Sequence, residues 1–342
     1  MVLAAAADAV DRRAGPGGGD GPVITRAYEI VHRTRYDYSD DVSVSFGRGV
    51  LRPRDLPGQR CLRHQVTVDP VPADRSDPVD VYGNTGLYFS VTQAHRRLEV
   101  TGRSLVVVQP PPLPPGAARA WESARPAGSW PDGGVVDPLA VEFSLPSPMV
   151  TLDGPADDAV RDFAAASFRP GRPLAEAVLD LTTRIHREFA YRSGATTVRS
   201  TVAEVLQARA GVCQDFAHLA VACLRSVGLA GRYVSGYLAT DPPPGRERMV
   251  GVDASHAWAA VAAPGTSPDA APGSAPEQGT AWLAFDPTNG GLVDERYATV
   301  AWGRDYADVT PLRGVIFTEA RSSELTVSVD VAPVPVPEEL EV

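Results

Sequence analysis

The chain has 342 residues, of which 44% are hydrophobic and 22% charged, a balance that suits two globular domains and excludes a fibrous or wholly disordered chain. Its 42 acidic residues outnumber 32 basic ones, giving a net charge of −10, and this speaks against nucleic acid as a partner because a polyanion is bound through a positive field. No apolar run approaches the roughly 20 residues that span a bilayer, so no membrane partner is expected either.

Residues 1–22 (MVLAAAADAVDRRAGPGGGDGP) lack the basic start and uninterrupted apolar stretch of a secretory signal; they read as a disordered tail, with a cytoplasmic location expected. From 23 to 108 the period is two: Tyr28, Ile30, His32, Thr34, Tyr36 and Tyr38 share one face. HQVTVDPV and LYFSVTQ give further strands, GNTG at 83–86 gives a turn, and RRLEVTGRSLVVV gives two short strands around Gly102. This segment is expected to form a β-sandwich. Residues 109–150, with QPPPLPPG and SWPDGGVVDP, read as a stiff Pro/Gly-rich connector.

After 150 the period becomes helical. DGPADDAVRDFAAASF has an acidic start, and PLAEAVLDLTTRIHREFAY aligns Leu174, Val178, Leu181, Ile185 and Phe189. TVAEVLQARAG follows with Thr201 as its cap and Gly211 at its end. ARAGVCQDFAHLAVACLRSVG forms a fourth helix whose stripe is Val212, Phe216, Leu219, Ala220, Cys223, Leu224 and Val227. Then RYVSGYLAT, ASHAWAAVAAP and TAWLAFDPT read as strands, the last two separated by a low-complexity loop at 264–280. The expected α+β fold is thus the sandwich followed by a core at 151–330, a Cys-bearing helix packed on an antiparallel sheet, and a tail at 331–342.

The three cysteines, 61, 213 and 223, are odd in number and widely spaced, so free thiols rather than a disulfide framework are expected, with no cofactor and no metal. Cys223 lies on the apolar stripe and reads as a buried hydrophobe. Cys213 sits in the first turn, where free N–H groups and the helix dipole favour a thiolate and a developing oxyanion. A nucleophile there needs a base and a group to orient it. Period two places His256 with Trp258 on one strand face, and Trp282 with Asp286 on another. If those strands pair antiparallel, imidazole and carboxylate lie side by side and can face the thiol. His218, about 140° round the helix from Cys213, is too far to act as its base. Asp215 is expected to cap the first turn, and Trp258 and Trp282 to wall the site or fill the core.

ARAGVCQDFAHLAVACLRSVGLAGRYVSGYL, DASHAWAAV, WLAFDPTNG and GRDYADVTPLRG together resemble the bacterial transglutaminase-like proteins, within the papain-like cysteine peptidase superfamily. The resemblance spans roughly 155 to 330, and 23–108 looks like the β domain that accompanies this core. It implies Cys213 as nucleophile, His256 as general base and Asp286 as the orienting carboxylate, acting on a peptide or amide through a thioester. The implied enzyme is a cysteine peptidase or amidase, with hydrolysis favoured over crosslinking. The alternatives are a protein-glutamine transglutaminase or a non-catalytic binding protein on the same fold. Tyr191 is a candidate for the second oxyanion donor, or else an aromatic packed under the helix pair.

Overall fold

The computed structural model describes residues 24–126, 137–152, 155–240, 255–264 and 281–337. The expected tail at 1–22 and nearly all of the 264–280 loop lie outside the described residues.

One strand organises the N-terminal half. β1 (Arg26–Gly49) is 24 residues long, and its predicted face is realised: Tyr28, Ile30, His32, Thr34 and Tyr38 are buried. β4 (Leu87–Val91) and then β5 (His95–Val108) run antiparallel along one edge of β1. β13 (Leu312–Thr318) and then β14 (Ser323–Val334) run along the other. β2 (Gln59–Asp69) and β3 (Asp74–Ser76) complete the sheet outside β5 and β4. Register shifts in the middle of β1, on both edges, bend it, and the sheet curls into a half-barrel.

The α+β class is as expected, with two local differences. Gly102 does not divide 95–108 into two strands, because it is paired with β1 on one side and β2 on the other. The boundary expected at 330 falls inside β14, whose partner is β1; residues 312–334 therefore belong to the first sheet rather than to the core or a tail.

The second sheet is antiparallel, in the order β11 (Gly291–Leu292), β10 (Ala281–Asp286), β9 (Ser255–Ala263), β8 (Gly231–Leu238), β12 (Tyr297–Gly303). In the connector, α1 (Pro138–Glu142) forms one short helix capped by the Asp137 carboxylate. α2 (Pro155–Ala165), α3 (Leu174–Glu188), α4 (Val202–Ala208) and α5 (Cys213–Ser226) pack on one face of the sheet, against Ala259, Val261, Leu283 and Phe285. The stripe predicted for α3 is fully buried, as is Cys223, whose thiol burial pushes up to about 12. α4 begins at the predicted cap, where Thr201 and Glu204 form a reciprocal capping box. It ends at Arg209 in the left-handed region (φ 51°), earlier than Gly211, which instead enters a two-residue strand.

The two sheets share a core. Tyr28, Ile30, Val329 and Val331 from the half-barrel meet Ala217 of α5 and Tyr233, Tyr237 and Ala257 of the second sheet. Polar pairs tie the same seam: His32 Nδ1 lies 3.0 Å from the Tyr237 hydroxyl, and Gln59 exchanges two hydrogen bonds with the Thr299 backbone at 2.7 and 2.8 Å. Burial holds the His32 pKa down at about 4, so the ring stays neutral within the seam. Ile30→Ala, which empties part of this shared core, is expected to cost about 2–5 kcal/mol in urea unfolding. A loss under about 1 kcal/mol would show that the two sheets are not stabilising one another.

Candidate active site

The site begins with backbone. β6 (Ala190–Tyr191) and β7 (Ala210–Gly211) pair in parallel, and Arg192 N–H adds a bond to Gly211 O at 2.9 Å. This clasp brings the end of α3 beside the start of α5. Val212 is extended at the cap position, and Cys213 opens the helix as its first residue, half-buried. N–H groups in the first turn have no intrahelical acceptor, so the sulfur lies at the positive end of the helix.

Asp215 caps that turn as expected. Its Oδ2 accepts from Val212 N–H at 2.8 Å and from the Thr196 hydroxyl at 2.6 Å. Gly211 is required here for space: a Cβ on it would lie 2.8 Å from the Asp215 carboxylate oxygen. Thr196, in the loop before α4, was not singled out from sequence; nothing in its local context marks it.

β9 and β10 pair antiparallel with Ala284 opposite Ala260 and Trp282 opposite Ala262, the arrangement on which the sequence argument depended. That register carries His256 and Asp286 to the same place. His256 Nε2 lies 2.7 Å from Asp286 Oδ2. Cys213 acts on the same ring through its charge and a side-chain hydrogen bond, while Nε2 is held by the carboxylate. Sulfur, imidazole and carboxylate therefore form one chain of contacts. Burial opposes a proton on His256, but the Asp286 charge and hydrogen bond, with the Cys213 contact, outweigh it and raise the pKa from 6.5 to about 10.

Asp286 is completely buried, yet its carboxyl is held below its usual value. Burial works against the charge; the His256 contact and hydrogen bonds from Asn289 and Tyr297 prevail. Oδ2 accepts from the Asn289 amide at 2.6 Å and the Tyr297 hydroxyl at 2.8 Å. Oδ1 accepts from Thr288 N–H at 2.7 Å and Asn289 N–H at 3.3 Å. Asn289 lies within the WLAFDPTNG stretch itself and could have been found there as a turn residue after Pro287. Tyr297 arrives from β12, and no sequence pattern announces it.

Tyr191 is 58% exposed, its ring edge-on to Phe216 at 6.4 Å. Burial of the hydroxyl first, and then the charges of Cys213 and Asp215, raise its pKa, which places that hydroxyl within reach of the sulfur's field. A ring this exposed is not packed under the helix pair; it lies at the surface beside Phe216. His218 is buried: its Nε2 accepts from Tyr306 N–H at 3.2 Å and its ring lies 4.9 Å from Tyr233. Burial lowers its pKa to about 4. Trp258 is buried, 6.2 Å from the His256 ring and edge-on to Tyr297 at 5.4 Å, so it walls the imidazole. Trp282, partly buried, packs edge-on against Phe143. Among the described residues no cluster of three His, Cys, Asp or Glu side chains is placed to hold a metal ion. No helix among them is long and apolar enough to cross a membrane.

Comparison with known proteins matches these two halves separately. Residues 28–107 match the bacterial transglutaminase-like N-terminal region, and residues 161–287, which contain all of Cys213, His256 and Asp286, match the transglutaminase-like superfamily. An uncharacterized protein of Mycobacterium tuberculosis is 53% identical over 317 residues, covering 90% of this chain and 93% of the relative. An uncharacterized protein of Mycobacterium leprae is 31% identical over 307 residues, covering 88% and 97%. A crystal structure described as "a Putative Cysteine Protease from Cytophaga hutchinsonii" shares the fold, with a TM-score of 0.66 over 92% of each chain at 18% identity. With both family models matched one after the other along the chain, and a full-length relative at 53% identity, the chain belongs to the bacterial transglutaminase-like proteins.

Proposed function

We propose that this protein performs thiol-dependent acyl chemistry on a peptide or amide, and that Cys213, His256 and Asp286 are its catalytic groups. The observation that carries the reading is the continuous contact from the Cys213 sulfur through the His256 ring to the buried Asp286 carboxylate. A structural histidine needs no thiol on one side and no five-donor carboxylate on the other. The sulfur attacks the amide carbon, forming S–C, and the imidazolium donates its proton as the C–N bond breaks and the amine leaves. The resulting thioester is opened by water, which gives a proton to the imidazole and leaves the acid as product. The first-turn N–H of Cys213 faces the developing oxyanion, with the Tyr191 hydroxyl as the second donor.

Hydrolysis is favoured over crosslinking because water is always present, whereas crosslinking needs an amine-binding site that no residue group here announces. The chain also contains no lysine, so it offers no lysine amine of its own as an acyl acceptor. A cytoplasmic location is part of the reading; it is supported by Cys61, Cys213 and Cys223 all being free thiols, as suits a reducing compartment.

Cys213→Ala is expected to abolish release of amine from amide substrates with the unfolding midpoint unchanged; turnover retained in that variant would refute the mechanism. Tyr191→Phe is expected to lower kcat about 10²–10³-fold with little change in KM, the size of effect seen when one oxyanion donor is lost. An unchanged kcat would leave the ring with a packing role only.

The pH dependence has a definite sign. His256 keeps its proton up to about 10 in the folded protein against 6.5 ordinarily, so the pair with Asp286 stabilises the fold fully below 6.5 and loses that contribution as pH rises through about 10. Activity should fall over the same alkaline range. Asp286→Asn removes the charge that raises the imidazole, and the His256 midpoint followed by NMR should drop by several units; a midpoint that stays near 10 would show that Asp286 does not set it.

A further inference from the structure

On the sheet face opposite the helices lies a cavity of about 1360 Å³. Cys213 and His256 are not part of its lining, but Trp258 and Tyr297 are, so the cavity and the Asp286 carboxylate share a wall. The proline-rich stretch 111–115 forms a rigid apolar side. Trp282 and Trp302 stand on the floor with Arg232 between them, its guanidinium carbon 4.2 Å from one ring centroid and 3.8 Å from the other.

Arg232 is the anomaly. Its Nε is shielded from solvent without a hydrogen-bond partner, and among the described residues no carboxylate lies within ion-pair distance of its guanidinium. The next cation, Arg54, stacks on Trp302 at 3.6 Å and adds repulsion rather than relief. Burial first, and Arg54 second, disfavour the charge on Arg232. Two tryptophan faces compensate a cation in part, but a guanidinium is a fork of donors shaped for a two-oxygen anion. Elsewhere in the chain such forks are filled: Arg296 grips both oxygens of Asp294, and Arg304 those of Asp308.

We infer that this cavity binds an amphipathic monocarboxylate, its single carboxylate on Arg232 and its apolar body along the tryptophans and the proline wall. A polyanion such as a phosphate ester is disfavoured by Asp137 and Asp294, which also border the cavity and are already engaged with partners of this chain. The same chemistry belongs to the free C-terminus of an apolar peptide and to a small organic acid.

Binding is read from tryptophan fluorescence, since three of the five tryptophans line the cavity. Full-length Cys213→Ala protein is used so that no probe is consumed and the result does not depend on the proposed acyl chemistry. The probes are phenylpropionate, decanoate, a short acetylated peptide ending in Leu-Phe with a free carboxylate, and that peptide as its C-terminal amide. The free-carboxylate forms should bind at least about tenfold more tightly than the amide, and Arg232→Gln should reduce the difference to within about twofold. Tighter binding of the peptide acid than of the small acids identifies a peptide terminus as the source, and the reverse identifies a small acid. Equal binding of peptide acid and peptide amide, or no saturable signal from any acid, overturns the inference. The acid–amide comparison stands on the unaltered Arg232 protein even if Arg232→Gln does not fold.

Discussion

A carboxylate with no solvent contact anchors the whole catalytic half. Stripping water from an ion costs several kcal/mol, and Asp286 remains charged only because five donors converge on its two oxygens. Hydrogen bonds to a charged group are each worth about 1.5–3 kcal/mol, so the set offsets the cost only when complete. The donors arrive on three separate constraints. Thr288 and Asn289 require the chain to turn directly after β10, a turn closed by Gly290 N–H on Asp286 O at 2.9 Å and held by His186 Nδ1 against Thr288 O at 2.7 Å. Tyr297 requires β12 to cross to the far edge of the sheet. His256 requires the β9–β10 register. One buried charge thereby ties together the turn, the edge strand and the orientation of the imidazole.

The thiol end is fixed by different physics. Cys213 is held by backbone pairing below it, by the Asp215 cap, and by packing against the core shared with the half-barrel. Ala217, one turn further along α5, sits within that shared core. The N-terminal sheet is therefore a buttress for the nucleophile's helix. A shift of β1 against Tyr233 and Tyr237 would move the sulfur relative to an imidazole that is anchored elsewhere.

What was legible in the sequence was whatever depends on local period and short range. The stripe of α3, the cap of α4, the pairing of β9 with β10 and the meeting of His256 with Asp286 all follow from side-chain alternation and one hairpin. Illegible were contacts made by chain segments that return from far away. Tyr297 is an ordinary strand tyrosine until β12 is placed beside β8, and Thr196 is an ordinary loop residue until α5 brings Asp215 to it. The β13–β14 run has strand-like alternation, but nothing in it names β1, nearly 300 residues earlier, as its partner. Gly102 misled because a glycine breaks a strand only where pairing on its two sides is weak.

That last return has a consequence for how the molecule is made. Ala27 pairs with Val334, so the roughly 300 residues between them must leave the ribosome before the first strand can acquire its second neighbour. Until then β1 has a bare edge along its length, and its apolar face has lost the contribution of Val329 and Val331. Contacts of such wide separation close slowly, and completion of the half-barrel therefore waits on the arrival of β13 and β14.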